Sequence, residues 1–155
     1  MKISVVTASY NSQATIGFTI ESFLEQDHPE KEMLVIDGAS SDATLKIVES
    51  FGSDAIRVFS AKDKGVYDAM NKGFHLFEGD AVGFLNSDDT FHDSLALSDI
   101  ASALQDADIA YGDLHIVTDH DSKRVVRSWR GGIFNRHSFQ LGWVPPHPTF
   151  YMRKE

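Results

Sequence analysis

The chain has 155 residues, 42% of them hydrophobic, enough for one domain with a buried core and too few for two. A formal net charge of −9 argues against a nucleic acid or an anionic membrane as the partner of the surface as a whole. Without cysteine, disulfides, thiolate metal sites and cysteine nucleophiles are all excluded, which fits a reducing compartment and makes the cytoplasm the expected location. Ile3 to Thr7 reads as a first strand, followed by a helix over about 14–26 with Ile16, Ile20, Phe23 and Leu24 on its apolar face. Met33 to Ile36 is a second strand, and a helix over 42–50 follows, with Leu45 and Val48 inward and Ser40 or Ser41 placed to cap it. Ile56 to Phe59 is a third strand. Val66, Met70, Phe74 and Phe77 recur at helical spacing, Ala81 to Leu85 is a fourth strand, and a fourth helix covers about 94–104. The alternation is that of βα units building a mostly parallel sheet.

Beyond Ile109 the rhythm changes. Leu114–Thr118 and Arg124–Trp129 flank a turn at 119–122 and predict a β-hairpin. Gly131, Gly132, Gly142, Pro145 and Pro146 then mark a loop-rich segment, and the chain stops at Arg153-Lys154-Glu155 where a helix could begin, so it reads as a piece of a longer protein. Basic residues gather late, at Lys123, Arg124, Arg127, Arg130 and Arg136; a solvated face is the simpler reading, and contact with phosphate or an acidic glycan is the alternative. No stretch approaches the ~20 apolar residues of a membrane span, so any membrane association, for example at the inner face, is expected to be peripheral.

Ligands of open parallel sheets bind outside the carboxyl ends of the strands. There the first strand delivers Thr7, Ala8, Ser9, Tyr10 and Asn11, the second Asp37 to Asp42 with Ser40 among them, and the fourth Asn86, Ser87, Asp88 and Asp89. The third strand leads to Asp63-Lys64-Gly65 and a helix carrying Asp68, Asn71 and Lys72. Any one cluster has a structural explanation in capping and turns; the set does not. Adjacent carboxylates at Asp88-Asp89 repel, and a divalent cation shared with phosphate oxygens offsets that repulsion most simply, which points to Mg2+ or Mn2+.

Four ordered blocks, "SVVTASYN", "VIDGASSDAT", "KDKGVYDAMNKG" and "GDAVGFLNSDD", resemble those of family 2 glycosyltransferases over about the first 90 residues. The later "YGDL" and "PHPTFYMRKE" are similar to a subgroup acting in exopolysaccharide, O-antigen or colanic acid assembly. The resemblance implies an α/β GT-A fold, with residues 1–108 binding a nucleotide-diphosphate sugar (UDP-, GDP- or dTDP-linked) and residues 109–155 starting an acceptor-binding part. It implies metal-dependent transfer with inversion to a saccharide or lipid-linked acceptor. By the same resemblance Asp37, Ala8 and Tyr10 would line the nucleobase pocket, Asp88 would lie by the ribose and diphosphate, and Asp89 would hold the metal. Ser40, Asp63, Asp68, Asn71 and Asn86 complete the expected donor site. Two positions depart from the family pattern: Gly38 replaces a second acid, and Asn86 replaces the first acid of D-x-D-D.

The family's general base lies in a later acidic motif, so the base is unassigned; Asp113 is the weak candidate, with a turn role as its simpler reading. His147 is a candidate phosphate or metal neighbour and Trp143 a candidate platform for the acceptor sugar, each against a packing role. A dehydrogenase and a P-loop NTPase are disfavoured because neither glycine-rich fingerprint is present. The alternative of another class is a nucleotide-sugar-binding module without turnover.

Overall fold

β1 (Ile3–Ser9) is buried along its whole length, as a near-continuous apolar run requires when both faces of a parallel sheet are covered. It pairs in parallel with β2 (Lys31–Asp37) and, on its other side, with β4 (Ala81–Phe84). β3 (Ile56–Ser60) extends the sheet beyond β2. The order is β3-β2-β1-β4-β8-β5, in which β5 is Ile109–Ala110 and β8 is Tyr151–Arg153. β8 runs antiparallel to both of its neighbours. The structure is a computed structural model that describes residues 1–120 and 124–154.

Helices cover both faces. α1 (Ile16–Leu24), α2 (Thr44–Ser50) and α4 (Ala96–Ala103) pack Ile16, Ile20, Phe23, Val48 and Leu97 against Ile3, Val5, Met33 and Val35. α3 (Val66–Leu76) lies on the other face over Val6, Ala8, Leu34 and Ile36. Among the described residues no helix is long and apolar enough to cross a membrane. The hairpin forms as expected, from β6 (Leu114–Val117) and β7 (Val125–Trp129), while its expected turn residues Asp121 and Ser122, with Lys123, lie outside the described residues.

Helical spacing alone does not name the packed face of α3. The buried residues of α3 are Ala69 and Gly73, whereas Val66 and Phe74 are exposed and Met70 and Phe77 only partly covered. A β-carbon on Gly73 would stand 2.3 Å from Val6 Cγ1, so the helix sits too close to β1 for a larger residue. Neither Ser40 nor Ser41 caps α2: Ala43 is the N-cap, Asp42 accepts from the Thr44 N–H, and Gln13 accepts from the Ala43 N–H. Tyr151–Arg153 enters the sheet between β4 and β5 as a strand.

At the amino ends of the strands, Glu32 is a buried carboxylate that accepts from Ser4 Oγ at 2.6 Å, the Glu78 N–H at 2.8 Å and Lys2 Nζ at 2.9 Å. Burial alone would raise its pKa; the bonds from Ser4, Lys2 and Glu78 outweigh it and lower the pKa from 4.5 to about 2. A depressed carboxylate contributes stability that is complete above its ordinary pKa and lost as pH falls toward the folded value. Thermal midpoints are therefore expected to fall between pH 4.5 and about 2, and Glu32→Gln to flatten that fall. The same variant should lose roughly 2 kcal/mol at neutral pH, because one charge-assisted acceptor becomes a donor facing donors. A pH series of melting curves on both proteins reads it; parallel curves would contradict it.

Candidate functional site

Strand order reverses between β2-β1 and β4, and a cleft of about 680 Å³ opens there at the carboxyl ends of the strands. Ala8, Ser9, Tyr10 and Ser12 reach it from the end of β1, and Gly38 and Ala39 from β2. Lys62, Asp63, Gly65, Val66 and Ala69 line the side toward α3, and Asn86, Ser87 and Asp88 the side toward β4. Ser12 Oγ and Ser87 Oγ share a hydrogen bond of 2.8 Å that ties the β1 and β4 ends together. Asn11 (φ 49°) and Ala39 (φ 63°) take the left-handed backbone at this rim, a strain that surrounding structure must hold in place.

Gly38 explains one departure from the family pattern. A β-carbon there would lie 2.9 Å from Asp63 Oδ2 and 3.3 Å from Tyr10 Cδ2, so the carboxylate of Asp63 stands where a side chain at position 38 would project. Glycine lets an acid arrive from the α3 side instead.

Asn86 to Asp89 form a tight turn in which the Asp89 N–H donates to the Asn86 carbonyl at 3.0 Å. Asn86 Nδ2 donates to Asp89 Oδ2 at 2.8 Å, so the amide that replaces an acid orients the neighbouring carboxylate. Burial raises the pKa of Asp89; the Asn86 bond opposes that, and the charge of Asp88 adds to the rise. His147 and His120 stand near enough that positive charge on either would favour the ionised form. A partly buried carboxylate held protonation-prone beside a second one is a fit for a hard divalent cation. Among the described residues no three His, Cys, Asp or Glu side chains are placed to hold a metal by themselves. That suits an ion which takes one or two carboxylates and completes its shell with water and phosphate.

Of the expected donor-site residues, the cleft wall brings together Ala8, Tyr10, Asp63, Asn86 and Asp88, with Asp89 bonded behind Asn86. Asp37 is not on the wall. It is fully buried and accepts from the Ser40 N–H (3.0 Å), from Ser60 Oγ (2.6 Å) and from the Ser40 hydroxyl. Ser40 also accepts from the Asn11 N–H, so Asp37 and Ser40 shape the loop that carries Gly38 and Ala39. Asp68 accepts from the Lys64 N–H and from Lys72 Nζ, both at 3.1 Å, and these contacts lower its pKa. Neither Asp68 nor Asn71 lines the cleft. Asp113 accepts from the Gly131 N–H at 2.9 Å, a tie between the residue just before β6 and the segment after β7. Trp143 donates to the Gly131 carbonyl at 2.8 Å and packs against Tyr111, Phe134 and Phe139. The sequence reading places Ser87 in the polar cluster after the fourth strand without a role, and it does not single out Lys62 or Ser12, which only their adjacency to Asp63 and Asn11 could mark.

The chain is similar to proteins of known class. A PGL/p-HBAD biosynthesis glycosyltransferase of Mycobacterium bovis is 30% identical over 117 residues, 72% of this chain and 46% of its relative. The putative teichuronic acid biosynthesis glycosyltransferase TuaG of Bacillus subtilis is 37% identical over 90 residues, 56% of this chain and 36% of TuaG. Among solved structures, S. aureus TarS in complex with UDP-GlcNAc superposes with a TM-score of 0.77 at 26% identity, covering 99% of this chain and 45% of that one. The architecture is therefore the GT-A fold, and the chain spans between about a third and just under half the length of the relatives it matches. The model of the family described as Glycosyl transferase family 2 aligns with residues 4–153, from the first strand through the last, and the chain belongs to that family.

Proposed function

We propose that the cleft binds a nucleotide-diphosphate sugar and that the protein serves metal-dependent, inverting sugar transfer to a saccharide or lipid-linked acceptor in surface polysaccharide assembly. The observation that carries this reading is the Asn86–Asp89 turn, which sets Asp88 on the wall of a cleft at the strand-order switch with the carboxylate of Asp89 held next to it by Asn86. Its support from relatives is that TuaG is named for teichuronic acid biosynthesis and that TarS was crystallised with UDP-GlcNAc.

In this reading Tyr10 and Asp63 hold the base and ribose, since one offers a ring face and the other a hydrogen-bond acceptor across the gap that Gly38 leaves. Asp37 acts through the loop it braces and does not touch the donor. Asp89, oriented by Asn86, would hold Mg2+ or Mn2+ together with Asp88, and that ion would supply stabilisation of the departing diphosphate's charge. Lys62 adds a cation on the α3 side of the same cleft. Residues 1–108 form the donor part and residues 109–155 begin the acceptor part. The general base is unassigned, because Asp113 is engaged with Gly131.

A second reading, a binding module without turnover, is favoured by one observation: the carboxylates on the cleft wall are Asp63 and Asp88, neither of which is free of a donor-side role in the account above. A donor-turnover assay decides between them. Nucleoside diphosphate release from UDP-, GDP- or dTDP-sugars that depends on manganese supports the enzyme; donor binding with no release supports the module.

A further inference from the structure

On the side of the cleft formed by the end of β2 and the start of α3, the two oxygens of one carboxylate have different surroundings. Asp63 is half-buried in the turn that leads into α3, and its Oδ1 accepts from the Gly65 N–H at 2.9 Å, which fixes the side chain to its own turn. Oδ2 stands beside Gly38 instead. A β-carbon built on Gly38 would meet Oδ2 at 2.9 Å and the edge of the Tyr10 ring at 3.3 Å, so the oxygen and the ring flank the same small gap. Among the described residues no hydrogen bond reaches Oδ2.

The other groups at this gap are already engaged. The Gly38 N–H donates to the Ser9 carbonyl at 2.8 Å. Asp37 is fully buried, with Oδ1 taken by the Ser40 hydroxyl and Oδ2 by the Ser40 N–H and the Ser60 hydroxyl. Beside the Tyr10 ring the cleft therefore presents one carboxylate oxygen, while the Gly65 bond keeps its twin on the backbone of the turn.

We propose that Asp63 selects the nucleobase, with Oδ2 accepting the N3–H of a pyrimidine imide, so that the donor is a uridine or thymidine diphosphate sugar. The inference rests on the reading of the cleft as a nucleotide-diphosphate-sugar site and narrows it to one class of base. Uracil and thymine carry a single ring N–H between two carbonyls, one donor for one acceptor. Guanine offers a ring N–H and an amino group side by side, a pair that a carboxylate matches with both oxygens, and here one of them serves Gly65. Cytosine and adenine place a ring-nitrogen lone pair at the same edge, which a carboxylate repels. Because position 38 carries no side chain, the imide edge can come up to Oδ2 along the Tyr10 ring. A base without that N–H leaves the acceptor unpaired, and discrimination by an unpaired polar group is stronger than discrimination by shape.

The test is calorimetric titration of the full chain, in manganese, with UDP, dTDP, GDP, ADP and CDP, repeated on Asp63→Asn and Gly38→Ala. UDP or dTDP is expected to bind about tenfold to a hundredfold more tightly than the three others, the span of one hydrogen bond to a charged group, and the tighter of the two tells uridine from thymidine. In Asp63→Asn the amide oxygen keeps the Gly65 N–H and Nδ2 turns to the base, a donor facing a donor, so the advantage over CDP should vanish or reverse. Loss of a merely structural turn would weaken all the nucleotides alike. Gly38→Ala retains the carboxylate, but its β-carbon displaces Oδ2 and should weaken UDP and dTDP by about tenfold. GDP, ADP or CDP binding most tightly would overturn the base assignment and leave a nucleotide site in the cleft; so would the parent's base preference in Asp63→Asn, or its UDP affinity in Gly38→Ala. No binding by any of the nucleotides would remove the nucleotide reading itself, and the assignment with it.

Discussion

Asp89→Ala is expected to abolish the manganese dependence of donor binding and to reduce any donor turnover by roughly a thousandfold, the scale of losing electrostatic stabilisation at a leaving group. Asp89 is oriented by Asn86 Nδ2, and burial together with the Asp88 charge raises its pKa. A raised carboxylate pKa means that the ionised side chain opposes folding at neutral pH, so Asp89→Asn should raise the thermal midpoint of the metal-free protein while losing the response to manganese. A purely structural aspartate would not separate those two readouts. Asn86→Ala should be milder, about tenfold to a hundredfold in metal affinity, because it removes an orienting contact and leaves the ligand. Melting curves and donor binding, each with and without manganese, check all three variants; an Asp89→Ala protein that still responds to manganese would remove the residue from the site.

Gly83→Ala is expected to cost about 3 kcal/mol, the upper part of the overpacking range, and to lower the midpoint by roughly 10 °C for a chain of this size. Gly83 and Tyr151 face each other across β4 and β8, and an added β-carbon would stand 2.3 Å from two carbons of the tyrosine ring. Tyr151 is 1% exposed, and its ring has nowhere to retreat. Truncating the ring should rescue the alanine, giving a coupling energy that a double-mutant cycle measures. Tyr151→Phe serves as the contrast: its hydroxyl has no partner among the described residues, so removing it should leave stability equal or higher. A Gly83→Ala protein that melts with the parent would show that β8 yields easily.

The central sheet was legible because β1, β2 and β4 are short apolar runs closed by polar clusters, the pattern of strands buried on both faces. Asn86–Asp89 was legible for the opposite reason, since adjacent carboxylates at a strand end are hard to explain by packing. β8 was not legible: three residues carry no period, and its place between β4 and β5 is set by pairing with residues about seventy and forty positions away. Helical spacing marks the large apolar residues of α3 but not its packed face, where close approach to β1 selects Ala69 and Gly73. Asp37 looked like a ligand-facing acid because its donors, Ser40 and Ser60, come together only in the fold. The same holds for Asp63, whose place beside Gly38 follows from the turn after β3 and from no local spacing.

The most direct test of the central claim is calorimetric titration of the chain with UDP, GDP and dTDP, with and without manganese. One of the three is expected to bind, and manganese to strengthen it; no heat from any of them under either condition would contradict a nucleotide-diphosphate site in this cleft.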